Sequence, residues 1–166
     1  IGSGWLFRFV GKKAEGDFGL NGNIRVGVLS RFAGNYEVIE SAYYRIGVAQ
    51  APWTGQTRFI GSVDATTFSY NDFWGPFAWG GESFNFSLNE TDNTLTVPIL
   101  TESGLFSGNN PMNCATDGAL FTNVPCAGSN VLIPDDIGGK HIIKITYGYF
   151  TTGSGPREFY KDLKKI

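Results

Sequence analysis

The chain has little charge and no long apolar run. Charged side chains make up 17% of its 166 residues, and the formal net charge is −2, whereas ordinary soluble proteins carry roughly 25% charged residues. The lysines and arginines are scattered and form no basic stripe along which a phosphate backbone could lie, so nucleic acid is not an expected partner. No apolar stretch approaches the roughly 20 residues that a membrane-spanning helix needs.

Histidine is also scarce, which limits the chemistry that the sequence can indicate. The single histidine, His141, opens an apolar run and has no nucleophile turn, zinc-binding helix or glycine-rich phosphate loop beside it. We therefore expect a structural or surface histidine, and the sequence predicts no catalytic residue, no metal site and no cofactor. Asp135 and Asp136, with Asn130 nearby, have too generic a spacing for calcium and predict a turn.

The only two cysteines, Cys114 and Cys126, lie in a segment rich in Asn, Gly and Pro. A disulfide that closes a loop of this size stabilises a fold by about 3 kcal/mol in the chain-entropy model. We therefore predict a Cys114–Cys126 disulfide, which implies an oxidising compartment such as the periplasm, the cell surface or the extracellular space. Since the chain begins at Ile1 and not at a methionine, we expect a processed product or a fragment, with any export signal or anchor upstream.

What the chain has in abundance is period-two alternation between apolar and polar residues. Phe84, Phe86 and Leu88 fall on one face of a strand, with polar residues between them. The run Thr94–Ile99 alternates in the same way. The five polar residues 89–93 separate the two runs, so this part of the chain predicts a β-hairpin.

Further short runs of this kind recur along the chain and are separated by turn signals. They predict an all-β fold, either an antiparallel β-sandwich or a barrel-like domain. One short helix is expected at the C-terminus, because Pro156 suits a first helical position, Phe159 and Leu163 have helical spacing, and lysines follow them. The remaining strand candidates are Trp5–Val10, Ile24–Leu29, Tyr36–Ser41, Tyr43–Val48, Thr57–Val63, Thr67–Tyr70 and His141–Thr151.

A single main domain is the default for a chain of this length. We expect the main β-domain at 34–166. Residues 1–33 leave two alternatives open: they are N-terminal strands that join the main sheet, or they are the tail of a preceding domain. The longest irregular stretch, Thr101–Asp136, predicts a functional or interface loop.

The densest feature of the sequence is a cluster of eight aromatic residues between Phe68 and Phe86. Three alternatives are open for those rings that follow no strand period: they stack on a ligand, they anchor a protein interface, or their loop folds back to plug the end of a barrel. The rings that alternate with polar residues, and are expected in the core, are Phe68, Tyr70, Phe84 and Phe86. The rings interleaved with turn-forming residues are Phe73, Trp74, Phe77 and Trp79.

The rings in turns predict a ligand-binding site. Aromatic faces stack on the apolar C–H surface of sugars, while polar side chains bind the hydroxyls. Trp53, in the turn APWTG, is a second ring that we expect to be exposed. The candidate ligand-binding residues are Trp53, Asn71, Asp72, Trp74, Phe77 and Trp79.

Three segments of the chain resemble a known family. They are GNYEVIESAYYRIGV from Gly34, RFIGSVDATTF from Arg58 and HIIKITYGYFTTGSGPREFYKDLKKI from His141. They are similar to uncharacterised surface lipoproteins of the Bacteroidetes that are associated with nutrient importers of the starch-utilisation type. The resemblance implies an exported, lipid-anchored, largely β protein at the outer membrane, and it supplies no catalytic residues. The lipidated cysteine of such a protein's mature N-terminus is not in this chain, so any anchor would lie upstream.

The sequence thus predicts a non-catalytic exported accessory protein at the bacterial outer membrane, which binds a glycan or another nutrient polymer through exposed aromatics. The alternative is a structural or docking subunit of an outer-membrane or extracellular assembly, in which the same aromatics contact a partner such as an importer. An enzyme would need two carboxylates facing each other across a cleft near the aromatics. The first candidates for that role are Asp64, Asp72 and Glu82.

Overall fold

The computed structural model describes residues 30–71, 83–97 and 110–166. Strands predominate in these residues, joined by short turns. The elements are β1 (Gly34–Arg45), β2 (Val48–Ala49), β3 (Thr57–Ser62), β4 (Thr67–Tyr70), β5 (Phe84–Asn89), β6 (Thr94–Thr96), β7 (Asn110–Met112), helix α1 (Cys114–Asp117), a 3₁₀ turn (Gly118–Leu120), β8 (Val131–Ile133), β9 (Ile142–Thr151) and β10 (Gly155–Lys165).

Eight of these strands form a closed antiparallel sheet. Neighbouring strands pair in the order β10, β1, β3, β4, β5, β6, β8 and β9, and β9 pairs back with β10 to close the ring. The short strands β2 and β7 pair with one end of β1 and of β9, respectively. The predicted all-β, barrel-like fold is confirmed, and the described strands form one closed sheet instead of the two facing sheets of a sandwich.

Aromatic side chains fill the inside of the barrel, as the alternation in β4 and β5 predicts. Phe68, Tyr70, Phe84 and Phe86 are all buried. The rings of Phe68 and Phe86 stack with their centroids 5.3 Å apart, and Tyr70 meets Phe84 edge to face at 5.6 Å. An eight-stranded barrel has an interior just wide enough for side chains to fill, so these four rings are core residues.

The helix expected at the C-terminus is wrong, because Gly155–Lys165 is the strand β10. Phe159 and Leu163 are four positions apart, a spacing that fits one face of a strand as well as one face of a helix. The neighbouring strand decides between the two, since Tyr147 and Ile143 of β9 lie opposite them. The rings of Phe159 and Tyr147 stack at 5.2 Å, and this tertiary packing outweighs the local helix signals.

A charged residue of β10, Lys161, lies fully buried inside the barrel. Its Nζ donates a hydrogen bond to Tyr70 Oη at 3.0 Å. The same Nζ lies 4.8 Å from the ring centroid of Tyr70, 5.2 Å from that of Trp53 and 5.5 Å from that of Tyr147. Aromatic ring faces attract a cation, so the rings of the core help to accommodate the ammonium group.

One long strand, β1, replaces the two strands expected at Tyr36–Ser41 and Tyr43–Val48. A β-bulge at Ile39 adds one residue to β1 relative to its partner β10. The inward positions therefore shift from Val38 before the bulge to Tyr43 after it, and both are buried. A bulge of this kind breaks the alternation and makes one strand look like two in the sequence.

A second layer, residues 112–126, covers the outside of the barrel beside β1, β9 and β10. The Cys114–Cys126 disulfide closes this segment with its Cα atoms 5.5 Å apart, which confirms the predicted pairing. Thr101–Asp136 is not wholly irregular, because from residue 110 onward it contains β7, this layer and the barrel strand β8. The buried apolar residues of the layer and of its contact on β10 are Met112, Phe121, Val124 and Tyr160.

Of residues 1–33, the structure describes only the last four, 30–33. Phe32 lies in the core of the barrel, and Arg31 Nη1 forms a salt bridge with Asp136 Oδ1 at 2.8 Å. The described chain thus joins the main domain before Gly34. The strand candidates Trp5–Val10 and Ile24–Leu29 lie outside the described residues, and both alternatives for this segment remain predictions.

Candidate functional site

Most of the ligand-binding candidates from the sequence lie outside the described residues. Their role stays a prediction. Asn71 directly follows β4 and is the last described residue before them, and its side chain is exposed. The candidates outside the described residues are Asp72, Trp74, Phe77 and Trp79, together with the neighbouring Phe73.

The expectation that Trp53 is exposed is wrong, because only 4% of its surface is accessible. The turn that carries it folds onto the barrel, where the Trp53 backbone N–H donates to Ser41 Oγ at 2.8 Å. Its indole lies beside the Lys161 ammonium group. In this position the ring contributes to the core and offers no face to a ligand in solvent.

The described surface does present an aromatic ring, that of Phe59 in β3. Ile60 points into the barrel and is fully buried, so its neighbour Phe59 points outward and is 59% exposed. A Cβ at Gly61 would lie 3.6 Å from Phe59 Cε1 and 2.5 Å from Ser69 Oγ. Because glycine has no Cβ, the phenyl ring and the serine hydroxyl can both lie close to the backbone of β3 here.

Phe59 belongs to a strand that the sequence predicts, Thr57–Val63, but no local signal indicates it as a site residue. Phe59 and Ile60 are both large and apolar, so the alternation alone leaves open which of them faces the core. The pairing of Ile60 with the buried Tyr70 settles the question. The rings between Phe73 and Trp79 are interleaved with turn-forming residues, which is a stronger signal for a binding site than any signal at Phe59.

Amide side chains lie on both sides of the Phe59 ring. Asn35 of β1 is directly opposite Phe59 and is exposed. On the other side of β3, Ile60 pairs with Tyr70, so the next position along this antiparallel ladder brings Asn71 level with Phe59. The predicted site residue Asn71 is thus next to an exposed ring that the prediction did not include.

Small polar side chains continue this surface across the outside of β4, β5 and β6. Ser69 lies opposite Asn85, and Thr67 lies opposite Ser87. Ser87 in turn lies opposite Thr96. We call this surface the polar face; its members are Asn35, Phe59, Gly61, Thr67, Ser69, Asn71, Asn85, Ser87 and Thr96.

The members of the polar face carry no charge, and the carboxylates in the turns beside it bind their own backbone. Asp64 Oδ1 accepts hydrogen bonds from the backbone N–H groups of Thr66 and Thr67 at 2.9 and 2.8 Å, which hold the pKa of the Asp64 carboxyl below its usual value. Asp92 accepts from the hydroxyl and the backbone N–H of Thr94, with the same effect on its pKa. The other two carboxylates considered for catalysis, Asp72 and Glu82, lie outside the described residues.

His141 is a buried structural residue. Its Nδ1 accepts the backbone N–H of Asp135 at 2.9 Å. Burial, followed by the positive charges of Lys165 and Arg31, lowers the pKa of the His141 ring. The Asp135 carboxylate accepts the backbone N–H of Gly138 at 2.8 Å, so the turn predicted at this position is confirmed.

Comparison of the chain with protein-family models, with curated proteins and with solved structures finds no match in any of the three. In the part of the chain that the structure describes, no three His, Cys, Asp or Glu side chains are grouped closely enough to hold a metal ion. None of the helices in that part is long and apolar enough to cross a membrane.

Proposed function

We propose that the protein is a non-catalytic, exported binding protein that holds a glycan or a related nutrient polymer against its polar face. The observation that carries this proposal is the Phe59 ring, which is more than half exposed among amide and hydroxyl side chains. Aromatic side chains contribute most to stability when they are buried. A ring left open on a surface rich in hydrogen-bonding groups therefore supports a ligand that covers it.

Sugars have the complementary chemistry. One face of a pyranose ring is apolar C–H surface that packs on an aromatic ring, and its edge carries hydroxyls that both donate and accept hydrogen bonds. The amides of Asn35 and Asn71 and the hydroxyl of Ser69 also both donate and accept. Since the polar face carries no charge, it suits a neutral polymer better than a polyanion.

Export and a place at the bacterial outer membrane are also part of the proposal. The disulfide supports export, because disulfides persist mainly in oxidising compartments. Attachment through an upstream lipid anchor and association with a nutrient importer rest on the resemblance to Bacteroidetes surface lipoproteins alone.

The second candidate function, a docking subunit of an outer-membrane or extracellular assembly, is favoured by a different surface. Ile46 and Val48, in and beside the turn between β1 and β2, have 46% and 62% of their surface exposed. Neighbouring apolar side chains that are exposed at a turn suit contact with an apolar pocket of a partner protein.

The substitution Phe59→Ala tests the proposed function. Affinity gel electrophoresis with a panel of neutral polysaccharides should show that at least one of them retards the parent protein. We expect Phe59→Ala to weaken that binding about tenfold or more, because the stacking surface is lost, and Phe59→Tyr to retain it. Ile137→Ala is the matched control, since Ile137 is a fully exposed apolar residue in the loop before β9 and is not a member of the polar face.

Two outcomes contradict the glycan proposal: equal retardation of the parent and of Phe59→Ala, or no retardation of the parent by any polysaccharide. If the protein is instead a docking subunit, the exposed residues of the turn between β1 and β2 should matter for its function and Phe59 should not. A native surface complex that survives Phe59→Ala but dissociates on Val48→Ser would favour a docking subunit.

A further inference from the structure

The shortest pairing between neighbouring strands of the closed barrel is that between β6 and β8. These strands share a single register pair, Thr94 with Val131, whereas β5 and β6 share three pairs. Next to this short pairing lies a cavity of about 280 Å³. Residues 95–97 line it on one side, and residues 113–116 and Asn130 complete the lining. We call this cavity the side pocket.

Asn113 brings an unpaired amide NH₂ group to the side pocket. Only 5% of its surface is exposed. Its Oδ1 accepts the backbone N–H groups of Ala115 and Thr116 at 2.9 and 3.0 Å, as the N-cap of α1. These bonds fix which end of the amide is the oxygen. Its Nδ2 is therefore left as a donor, and no acceptor in the described parts of the chain binds it.

Asn130 supplies a second amide donor in the same way. Its Oδ1 accepts the backbone N–H of Thr146 at 2.8 Å, which again fixes the orientation of the amide. Among the described residues, none accepts from its Nδ2. The φ angle of Asn130 is 53°, a left-handed conformation that asparagine adopts more readily than most residues with a side chain.

The rest of the pocket lining is apolar or carries hydroxyls. Leu95 and Val97 are buried core residues, and Thr96 and Thr116 are exposed at the rim. A carboxylate or a phosphate would find no cationic partner in this lining. The lining instead suits a methyl group that lies close to a neutral hydrogen-bond acceptor.

We infer that the side pocket binds an acetamido group carried by an N-acetylated amino sugar. The methyl group packs on Leu95 and Val97, and the carbonyl oxygen accepts from the amides of Asn113 and Asn130. Thr96 at the rim hydrogen-bonds to the sugar hydroxyls and also belongs to the polar face, so a glycan on that face reaches the pocket at its edge. The pocket does not include Phe59, so this inference stands or falls separately from the proposed function.

NMR titration of the ¹⁵N-labelled full chain with N-acetylglucosamine tests the inference. We expect shifts centred on residues 95–97, 113–116 and 130. Glucose and glucosamine lack the acetyl group and should bind at least about tenfold more weakly, since they lose both the methyl packing and the carbonyl acceptor. N-acetylalanine methylamide separates a sugar from a peptide source, and tighter binding of this amide than of the sugar would overturn the assignment to an amino sugar.

Asn113→Asp and Asn130→Asp remove one donor each and keep the oxygen that accepts from the backbone. Each is expected to weaken the Kd for N-acetylglucosamine about tenfold without changing the circular dichroism spectrum, because aspartate caps a helix as well as asparagine does. Asn113→Ser also keeps a capping oxygen and serves as the second variant if a carboxylate beside Asp117 disturbs the fold.

Ile137→Ala is the control, because its fully exposed side chain is not part of the pocket lining, and it should leave the affinity for N-acetylglucosamine unchanged. The titration reports on residues 95–97, 113–116 and 130, whereas the polysaccharide gels with Phe59→Ala report on the polar face, so the two proposals fail in different experiments. Three results would overturn the inference: no shifts with N-acetylglucosamine, equal binding of glucose, or unchanged affinity in both aspartate variants.

Discussion

Ile46 has a backbone conformation that a β-branched residue rarely adopts. Its φ angle is 54°, and that of the following Gly47 is 72°. Together they form the two-residue turn between β1 and β2, in which both central residues need positive φ and Asn-Gly is the preferred sequence. For a residue that has a Cβ, this left-handed conformation raises the free energy of the folded state by roughly 1–2 kcal/mol. Backbone strain of this kind is found most often at functional sites.

The substitution Ile46→Asn is therefore expected to stabilise the protein by about 1 kcal/mol, because asparagine tolerates the left-handed conformation. Equilibrium urea unfolding measures this change in the free energy of unfolding. Val48→Asn is the matched control and should give no gain, since Val48 is a strand residue without positive φ. An unchanged or lower free energy of unfolding in Ile46→Asn would contradict the argument.

Phe59 and Lys161 occupy positions opposite to those expected from their residue types. Large apolar residues are usually buried and lysines are usually exposed, yet here the ring faces solvent and the ammonium group faces the core. Pairing with other strands determines both placements, since Ile60 lies opposite Tyr70 and Lys161 lies opposite Ile145. The sequence of one strand does not contain that information.

At the scale of elements, β4 and the β5–β6 hairpin were predictable and β1 and β10 were not. The first group has clean alternation and polar turns, as in the run Phe84–Leu88. In β1 the bulge at Ile39 interrupts the pattern. In β10 both faces are buried, because on the outer side Glu158 binds the second layer and Asp162 pairs with Lys144 of β9 at 2.7 Å. A strand with charged residues buried on both faces resembles neither an amphipathic strand nor an apolar one.

The carboxylate of Glu158 connects the second layer to the barrel through hydrogen bonds. It is fully buried, and its carboxylate accepts the backbone N–H groups of Asn123 and Val124 at 2.8 and 3.2 Å. The side-chain amide of Asn123 donates to the same carboxylate at 2.6 Å. The carboxylate thus binds three donors from the segment that the disulfide closes.

Glu158→Gln is expected to lower the free energy of unfolding by about 2 kcal/mol, because it turns an NH₂ group toward buried N–H donors. Thermal and urea unfolding measure the loss. Glu40→Gln provides the control on the adjacent strand, since Glu40 is exposed, and its effect should stay within about 0.5 kcal/mol. If both variants were equally stable, Glu158 would not be the anchor of the second layer.

At the scale of the whole molecule, closure of the barrel depends on contacts between distant parts of the chain. β10, at the end of the chain, pairs with β1 on one side and with β9 on the other. The all-β class and the antiparallel pairing follow from local alternation, whereas closure depends on these long-range pairs. The candidate site was predictable to the same limited extent. The local sequence indicates Asn71 as a site residue, whereas the outward position of Phe59 follows only from the register of β3 against β4.

The stability of the whole molecule is expected to depend on the protonation of His141. Burial and the charges of Lys165 and Arg31 lower its pKa, while the nearby carboxylates of Asp135 and Asp136 raise it by less. The unfolded chain therefore binds more protons between the folded pKa and the ordinary value of about 6.5. The contribution of neutral His141 is complete above about pH 6.5 and is lost as the pH falls toward the folded pKa.

His141→Asn isolates this effect, because an asparagine oxygen can accept the same Asp135 N–H but does not titrate. Between pH 7.5 and pH 5 the parent protein should lose more free energy of unfolding than the variant. Urea unfolding at both pH values measures the difference. Equal losses in the two proteins would show that His141 does not contribute to acid sensitivity.

The measurement that tests the polar face most directly is NMR chemical-shift mapping of the parent protein with the polysaccharide fragment that it binds most tightly. The shifts are expected to centre on Phe59 and to extend to Asn35, Ser69 and Asn71. Shifts centred on Ile46 or scattered over the barrel, or no shifts with any fragment, would contradict the proposal that the protein binds a glycan on its polar face.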